Sequence, residues 1–502
     1  MKKRILSLLL VGLMLTQFAA CSEKSAEGDT ANSGGSDVAA NPDASAETEP
    51  ETTEADVLAE LKADVPKAKY DGYVFTMLNN ESNFAYTMMT AEDLTGEGIN
   101  DAIYNRNVTV GEELDIVIEE NMVSYSNVTS TMNTCIVAGD DTYSCFWNES
   151  KFVAPFAING QLLNVNDISA IDLEKPWWNG NALEDVEFGS YQYFLVGDLH
   201  LMFKESFWMC GFNKNIIDEN GLGDPYELVR EGTWTYDSMK TYMETVALDL
   251  NGDGIMDGND RFGVTCYSGC IPAFIIAGGE SFIERDADGV PTMINPDDRF
   301  YAVYEKLVAT MFEPSLNYVC LDGKTQNIAQ YEDGWHGVFS SGHALFYLEP
   351  IGSLKKLRDM DAEFGIVPFP KYDEAQEEYK TYIAAYAAFC GIPVTVSDQE
   401  RAGVILENLC AESYGELREA YVDTTLNFKY IRDRESAEML NLILDSGTFN
   451  LTDVLGVSTP VDTISNNATS AKLEIASTYA KILNATSKTL EKNVHKLMKI
   501  ED

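Results

Sequence analysis

One twelve-residue stretch, Asp249-Leu250-Asn251-Gly252-Asp253-Gly254-Ile255-Met256-Asp257-Gly258-Asn259-Asp260, carries oxygen side chains at the spacing of a cation loop. They fall at positions 1, 3, 5, 9 and 12, with glycine at 6 and an apolar residue at 7, as in an EF-hand calcium loop. A hard cation needs several carboxylate and carbonyl oxygens, and Gly254 permits the sharp turn that gathers them. The expected ligands are Asp249, Asn251, Asp253, Ile255 through its backbone carbonyl, Asp257 and Asp260, with the Ile255 side chain packing inward. Asp260 stands where a calcium sensor has Glu, and its shorter side chain weakens the hold on the ion. A predicted helix precedes the loop and a predicted strand follows it, so the pattern points to a structural calcium rather than a switch.

A second set of residues has the chemistry of sugar recognition, which needs flat aromatic faces against the apolar side of the ring and fixed polar groups for the hydroxyls. Trp177, Trp178, Trp208, Trp335, Tyr267 and Tyr347 supply the faces, and Asp141 and Glu349 the acceptors. Core packing is the competing role for each tryptophan. Trp177 and Trp178 are adjacent and on a strand would point to opposite sides, so only one is expected at a site, and Trp178 is the choice. Aromatics with a carboxylate pair would also suit a glycoside hydrolase. However, the chain carries no nucleophile motif, phosphate loop or metalloprotease histidine pair, and His200, His336, His343 and His495 lack ligand spacing. Binding without catalysis is the expectation.

The elements that must position these residues read as α/β. Apolar segments of strand length at 70–78, 114–118, 262–265 and 364–367 alternate with helical stretches at 237–248, capped by Thr235, and at 299–312. In the second helix Phe300, Val303, Tyr304, Leu307, Val308 and Met311 form one apolar face, read as core. Residues 465–498 read as helical and end in a lysine-rich turn.

Lys2, Lys3 and Arg4, the apolar run 5–18 and Ala19-Ala20-Cys21 form a secretory signal peptide ending in a lipobox-like site, so Cys21 is the expected lipidation point. Residues 22–64 are expected to form an acidic tether, too poor in apolar residues to fold. No later run is long and apolar enough to span a bilayer. With 81 acidic against 35 basic residues and a formal charge of −46, nucleic acid is excluded as a partner, since it is held through Lys and Arg. Among the cysteines, Cys266 with Cys270, or Cys135 with Cys145, can bridge, and the pairing stays open.

Ser206-Phe207-Trp208 to Asn213-Lys214, then Pro225-Tyr226 to Val229 and Glu231 to Thr235, resemble the solute-binding proteins of ABC importers, the maltose-binding-protein-like group. Asn105-Arg106-Asn107, Asp172 to Trp178, Gly365 to Tyr372 and Gly391-Ile392-Pro393 agree in the same order, and the resemblance runs from about 70 to about 460. It implies a two-lobed periplasmic-binding-protein-like α/β fold with an inter-lobe ligand cleft and a hinge crossed more than once. The lobes would comprise about 65–205 with 366–412, and 206–365 with 413–502. By similarity Ser206, Phe207 and Trp208 lie near the cleft, as do Tyr267 to Phe274 and Phe346 to Pro350, and Asp140 and Asp141 sit where the first lobe supplies polar contacts. The function implied is a lipid-anchored, extracytoplasmic receptor at the bacterial cell membrane. It would act as a monomer, capturing a carbohydrate and passing it to ABC permease subunits. The alternatives are a glycan-docking surface lipoprotein, a peptide receptor or a glycoside hydrolase.

Overall fold

A computed structural model describes residues 62–82, 85–313, 315–320, 334–426 and 434–500, all within one compact unit, Glu54–Asp502. The expected signal peptide, Cys21 and all but the end of the expected tether lie outside the described residues. Among those residues no helix is long and apolar enough to cross a membrane.

Two sheets carry the architecture. In the first, β1 (Tyr73–Asn80) lies parallel to β2 (Ile116–Val123) along its whole length, from Tyr73 opposite Ile116 to Asn80 opposite Val123. β3 (Cys145–Glu149) runs parallel to β1 on its other side, and a late strand pairs antiparallel with β3. In the second sheet β4 (Trp208–Asn213), β5 (Phe262–Tyr267), β6 (Asn317–Cys320), β7 (Ala344–Pro350) and β8 (Phe364–Val367) take the order β6-β5-β7-β4-β8. The late strand of the first sheet is β9 (Ala388–Gly391). Every residue of β3 and β7 is buried, because helices cover both faces of these sheets, and β7 reads as a nearly continuous apolar run while β3 ends in buried Asn148 and Glu149. β2 is the edge of its sheet, and beyond buried Ile116 it alternates exposed and half-buried positions instead.

Local chemistry sets several boundaries. The predicted strand at 70–78 begins at Tyr73, because Asp71 and Gly72 both take left-handed backbone angles that no strand tolerates. The predicted strand at 114–118 is Ile116–Val123. Leu114 closes the helix Gly98–Leu114, and Asp115 turns left-handed as its cap. The helix at 237–248 is Tyr236–Val246, with Thr235 and Ser238 forming a reciprocal capping box. The helix at 299–312 is Asp298–Met311, and its six apolar stripe residues are all buried. The single helix expected over 465–498 is two, Thr459–Ala468 and Ala476–Met498, broken where Ala471 takes a left-handed conformation.

The crossings between sheets lie side by side. Phe207 bridges Ile383, the Ala384 amide donates to the Ser206 carbonyl at 2.9 Å, and Thr381–Ile383 pairs in parallel with Gly447–Phe449. Two expected lobe boundaries therefore move. β8 belongs to the second sheet, so the return to the first falls near Ala384 rather than 366. The helix Arg418–Leu426 packs on Gly98–Leu114 beside the first sheet, so the next crossing falls after 426 rather than at 413.

Candidate ligand cleft

Strand direction gathers one set of predicted residues on a single sheet edge. β5 and β7 are parallel and end in Tyr267 and Glu349-Pro350, while antiparallel β4 begins there with Trp208, opposite Pro350. The short helix Trp335–Ser340 covers this edge. The Trp335 indole donates to Glu349 Oε1 at 2.7 Å and the Ser353 hydroxyl to Oε2 at 2.8 Å, while His336 Nδ1 meets the Tyr347 hydroxyl. Two neutral donors and no cation among the described residues surround Glu349, and burial pushes its carboxyl up to about 8.

Aromatic rings extend the wall. Trp208 stands 5.4 Å from Tyr267, and Tyr267 5.6 Å from Trp335, centroid to centroid. Phe369 meets Trp208 edge-on at 6.0 Å, and Tyr382 stacks near it at 6.3 Å. Trp208 is 2 % exposed, yet its Nε1 has no acceptor among the described residues. A buried indole N–H in that state costs about 1–3 kcal/mol. On the first sheet Asn80 Oδ1 and Trp147 Nε1, and beside it His200 Nδ1, are likewise buried without partners among the described residues.

Glu205, immediately before the hinge, ties the two sides together. Its Oε2 accepts the Tyr86 amide of the β1 loop at 2.6 Å, and Gly352 after β7 packs on its side chain. Lys355 sits over the Tyr86 ring at 5.5 Å. Burial raises the Glu205 carboxyl to about 7, with Lys355 pulling the other way.

No family model and no curated protein matches the sequence. Solved structures do. An ABC substrate-binding protein of Listeria monocytogenes in complex with cycloalternan aligns over 86% of this chain and 100% of its own, with a TM-score of 0.51 and 12% identity. An ABC transporter solute-binding protein of Thermotoga lettingae bound to α-D-tagatose covers 84% of this chain and all of its own, with a TM-score of 0.51 and 11% identity. UgpB of Mycobacterium tuberculosis, in complex with glycerophosphocholine, covers 85% and 100%, with a TM-score of 0.52 and 15% identity.

This is the fold of the ABC substrate-binding proteins.

Within that fold Trp208, Tyr267, Tyr347 and Glu349 come together, and three other predicted residues do not join them. Asp141 is exposed in the turn leading into β3, at the amino-terminal edge of the first sheet and away from the strand ends. Trp178 is core. Its indole and that of Trp177 both donate to the Glu407 carboxylate, at 2.8 and 3.1 Å, so the expectation that the pair diverge fails because neither lies on a regular strand. The Ser206 hydroxyl donates to the Met202 carbonyl at 2.6 Å, which makes Ser206 part of the hinge rather than of the wall. Sequence reasoning missed Glu205, Tyr86, Lys355 and Tyr382. They converge from four separate segments, and no local pattern marks them.

The acidic loop has hard-cation donors, but it spends them on itself. Asp249 accepts the Gly252 and Gly254 amides at 2.6 and 2.7 Å, Asn251 accepts Asp253, Asp253 accepts Ile255, and Asp257 accepts Asn259. Asp260 is buried, with one oxygen taking the Leu250 amide and the other the Asp257 amide. Among the described residues no three His, Cys, Asp or Glu side chains converge as metal ligands. Ile255 is 64 % exposed rather than packed inward. Met256, the next residue, supplies the apolar contact with the core.

Proposed function

We propose that the protein is the lipid-anchored, extracytoplasmic binding component of an ABC importer, capturing a sugar or oligosaccharide by hinge closure and handing it to permease subunits. The observation that carries this reading is the Trp208 N–H, without a partner among the described residues, inside a wall of Trp208, Tyr267, Trp335 and Tyr382 beside Glu349. Rings of that kind stack on the apolar face of a pyranose, and a bound hydroxyl supplies the acceptor that the indole lacks. The cycloalternan and tagatose complexes of like-folded proteins support a carbohydrate over a peptide. Segments that pass side by side through the hinge suit closure around a ligand.

The test is a thermal-shift screen of the protein lacking residues 1–21 against mono-, di- and oligosaccharides, amino acids and peptides. A ligand that binds only the folded state adds about 2.7 kcal/mol of stability at a hundredfold excess over its Kd. One sugar class is expected to shift the melting temperature and to be recovered unchanged. Trp208→Phe keeps a ring but removes the N–H, so it is expected to weaken that sugar about tenfold, near 1.4 kcal/mol, beyond any loss of apo stability from the smaller ring, which the ligand-free melting curve reads separately. A peptide hit with no sugar hit overturns the ligand class, and cleavage of the sugar overturns the binding role.

A further inference from the structure

Cys266 and Cys270 bracket the turn that carries Tyr267. Cys266 is the penultimate residue of β5, Cys270 opens the helix Cys270–Ala277, and only Tyr267, Ser268 and Gly269 lie between them. Both side chains are fully buried, and their sulfurs lie 3.4 Å apart. The turn is tight for a second reason. A Cβ on Gly269 would fall 2.3 Å from the Tyr267 ring, so the ring lies flat against its own turn. All of these cysteines are free thiols in the structure, and of the other pair considered from sequence Cys145 meets Cys390 across β3 and β9 rather than Cys135.

We propose that Cys266 and Cys270 form an intramolecular disulfide that closes this turn and fixes Tyr267 in the aromatic wall. A disulfide needs its sulfurs at about 2.05 Å, so the 3.4 Å between them is the gap that bond formation has to close. The two thiols give up two protons and two electrons as the S–S bond forms. A small disulfide such as oxidised glutathione accepts both and leaves as two thiols. The bond is independent of what the cleft binds.

The experiment uses the folded protein treated with oxidised glutathione, then denatured in acid and alkylated. It is next reduced, alkylated with a second reagent and peptide-mapped. Cys266 and Cys270 are expected to carry only the second label, and the unreduced digest to contain the single peptide that holds both, lighter by two hydrogens than its dithiol form. First label on both residues overturns the proposal. In Cys266→Ser, Cys270 is expected to take the first label or a glutathione adduct. If Cys270 there remains linked to another cysteine of the chain, the pairing is wrong.

Discussion

Glu349 accepts hydrogen bonds from Trp335 and Ser353 while facing no cation among the described residues, so its charge is expensive where it sits. Burial lifts its carboxyl to about 8, that of Glu205 to about 7 and that of Asp453 to about 6. In all three the folded state keeps a proton that the unfolded chain has released. The stability tied to that proton is fully present below the unfolded values, near 4.5 for Glu, and is lost as pH rises through the folded ones. These three groups therefore pull the melting temperature down between about pH 5 and about pH 8, against His200, whose imidazole burial holds near 3 and which pulls it up as far as about pH 6.5, and Glu349→Gln is expected to make the fall shallower by on the order of 1–3 kcal/mol. Melting curves across this range check it. A slope unchanged in Glu349→Gln would mean that Glu349 titrates normally, with water reaching it.

At the scale of elements, the acidic loop is the part whose role is most open to test. Its carboxylates and amide are calcium chemistry, but each of these side chains already accepts a loop amide, Asp249 and Asp260 with both oxygens. A cation proposed there would share these oxygens, and it would act on the loop that joins the helix Tyr236–Val246 to β5 rather than on the cleft. Chelation is expected to lower the melting temperature and leave ligand affinity nearly unchanged, with added calcium restoring it. No change on chelation would leave the Asx-type turns alone as the reason for the pattern. Other elements show what sequence carries at this scale. The stripe from Phe300 to Met311 was legible because burial repeats at helical spacing, and Thr235 because a cap is a local hydrogen bond. The strand starts near Tyr70 and Leu114 were misjudged because Asp71 and Asp115, neither of them glycine, turn left-handed, and the break at Ala471 falls on a good helix former. The cleft was legible only in part. Trp208, Tyr267 and Glu349 meet because strand order brings three distant termini to one edge. The same topology sends Asp141 to the opposite edge and Trp178 onto Glu407, and nothing local in the sequence encodes either outcome.

Across the whole molecule, the hinge is where the two sheets answer to one another, and one packing contact there is unusually close. Gly447 pairs with Thr381 next to the Phe207 crossing, and a Cβ on Gly447 would fall 2.1 Å from the Phe207 ring. Phe207 cannot retreat easily, since its ring meets Phe203 edge-on at 5.2 Å and its backbone bridges Ile383. The φ of Gly447 is not in the left-handed region, so the glycine is required for space rather than for backbone freedom. Gly447→Ala is thus an overpacking substitution, expected to cost about 1–3 kcal/mol, read as a lower urea midpoint at unchanged slope. Because the methyl pushes apart the crossing segments that carry Phe207 and Tyr382, the neighbours of Trp208, it is also expected to weaken any ligand that requires closure. An unchanged midpoint would mean that the crossings slide past one another at little cost. The packed hinge would then be a loose one, and closure would have to be limited by the contacts of Glu205 with Tyr86 instead.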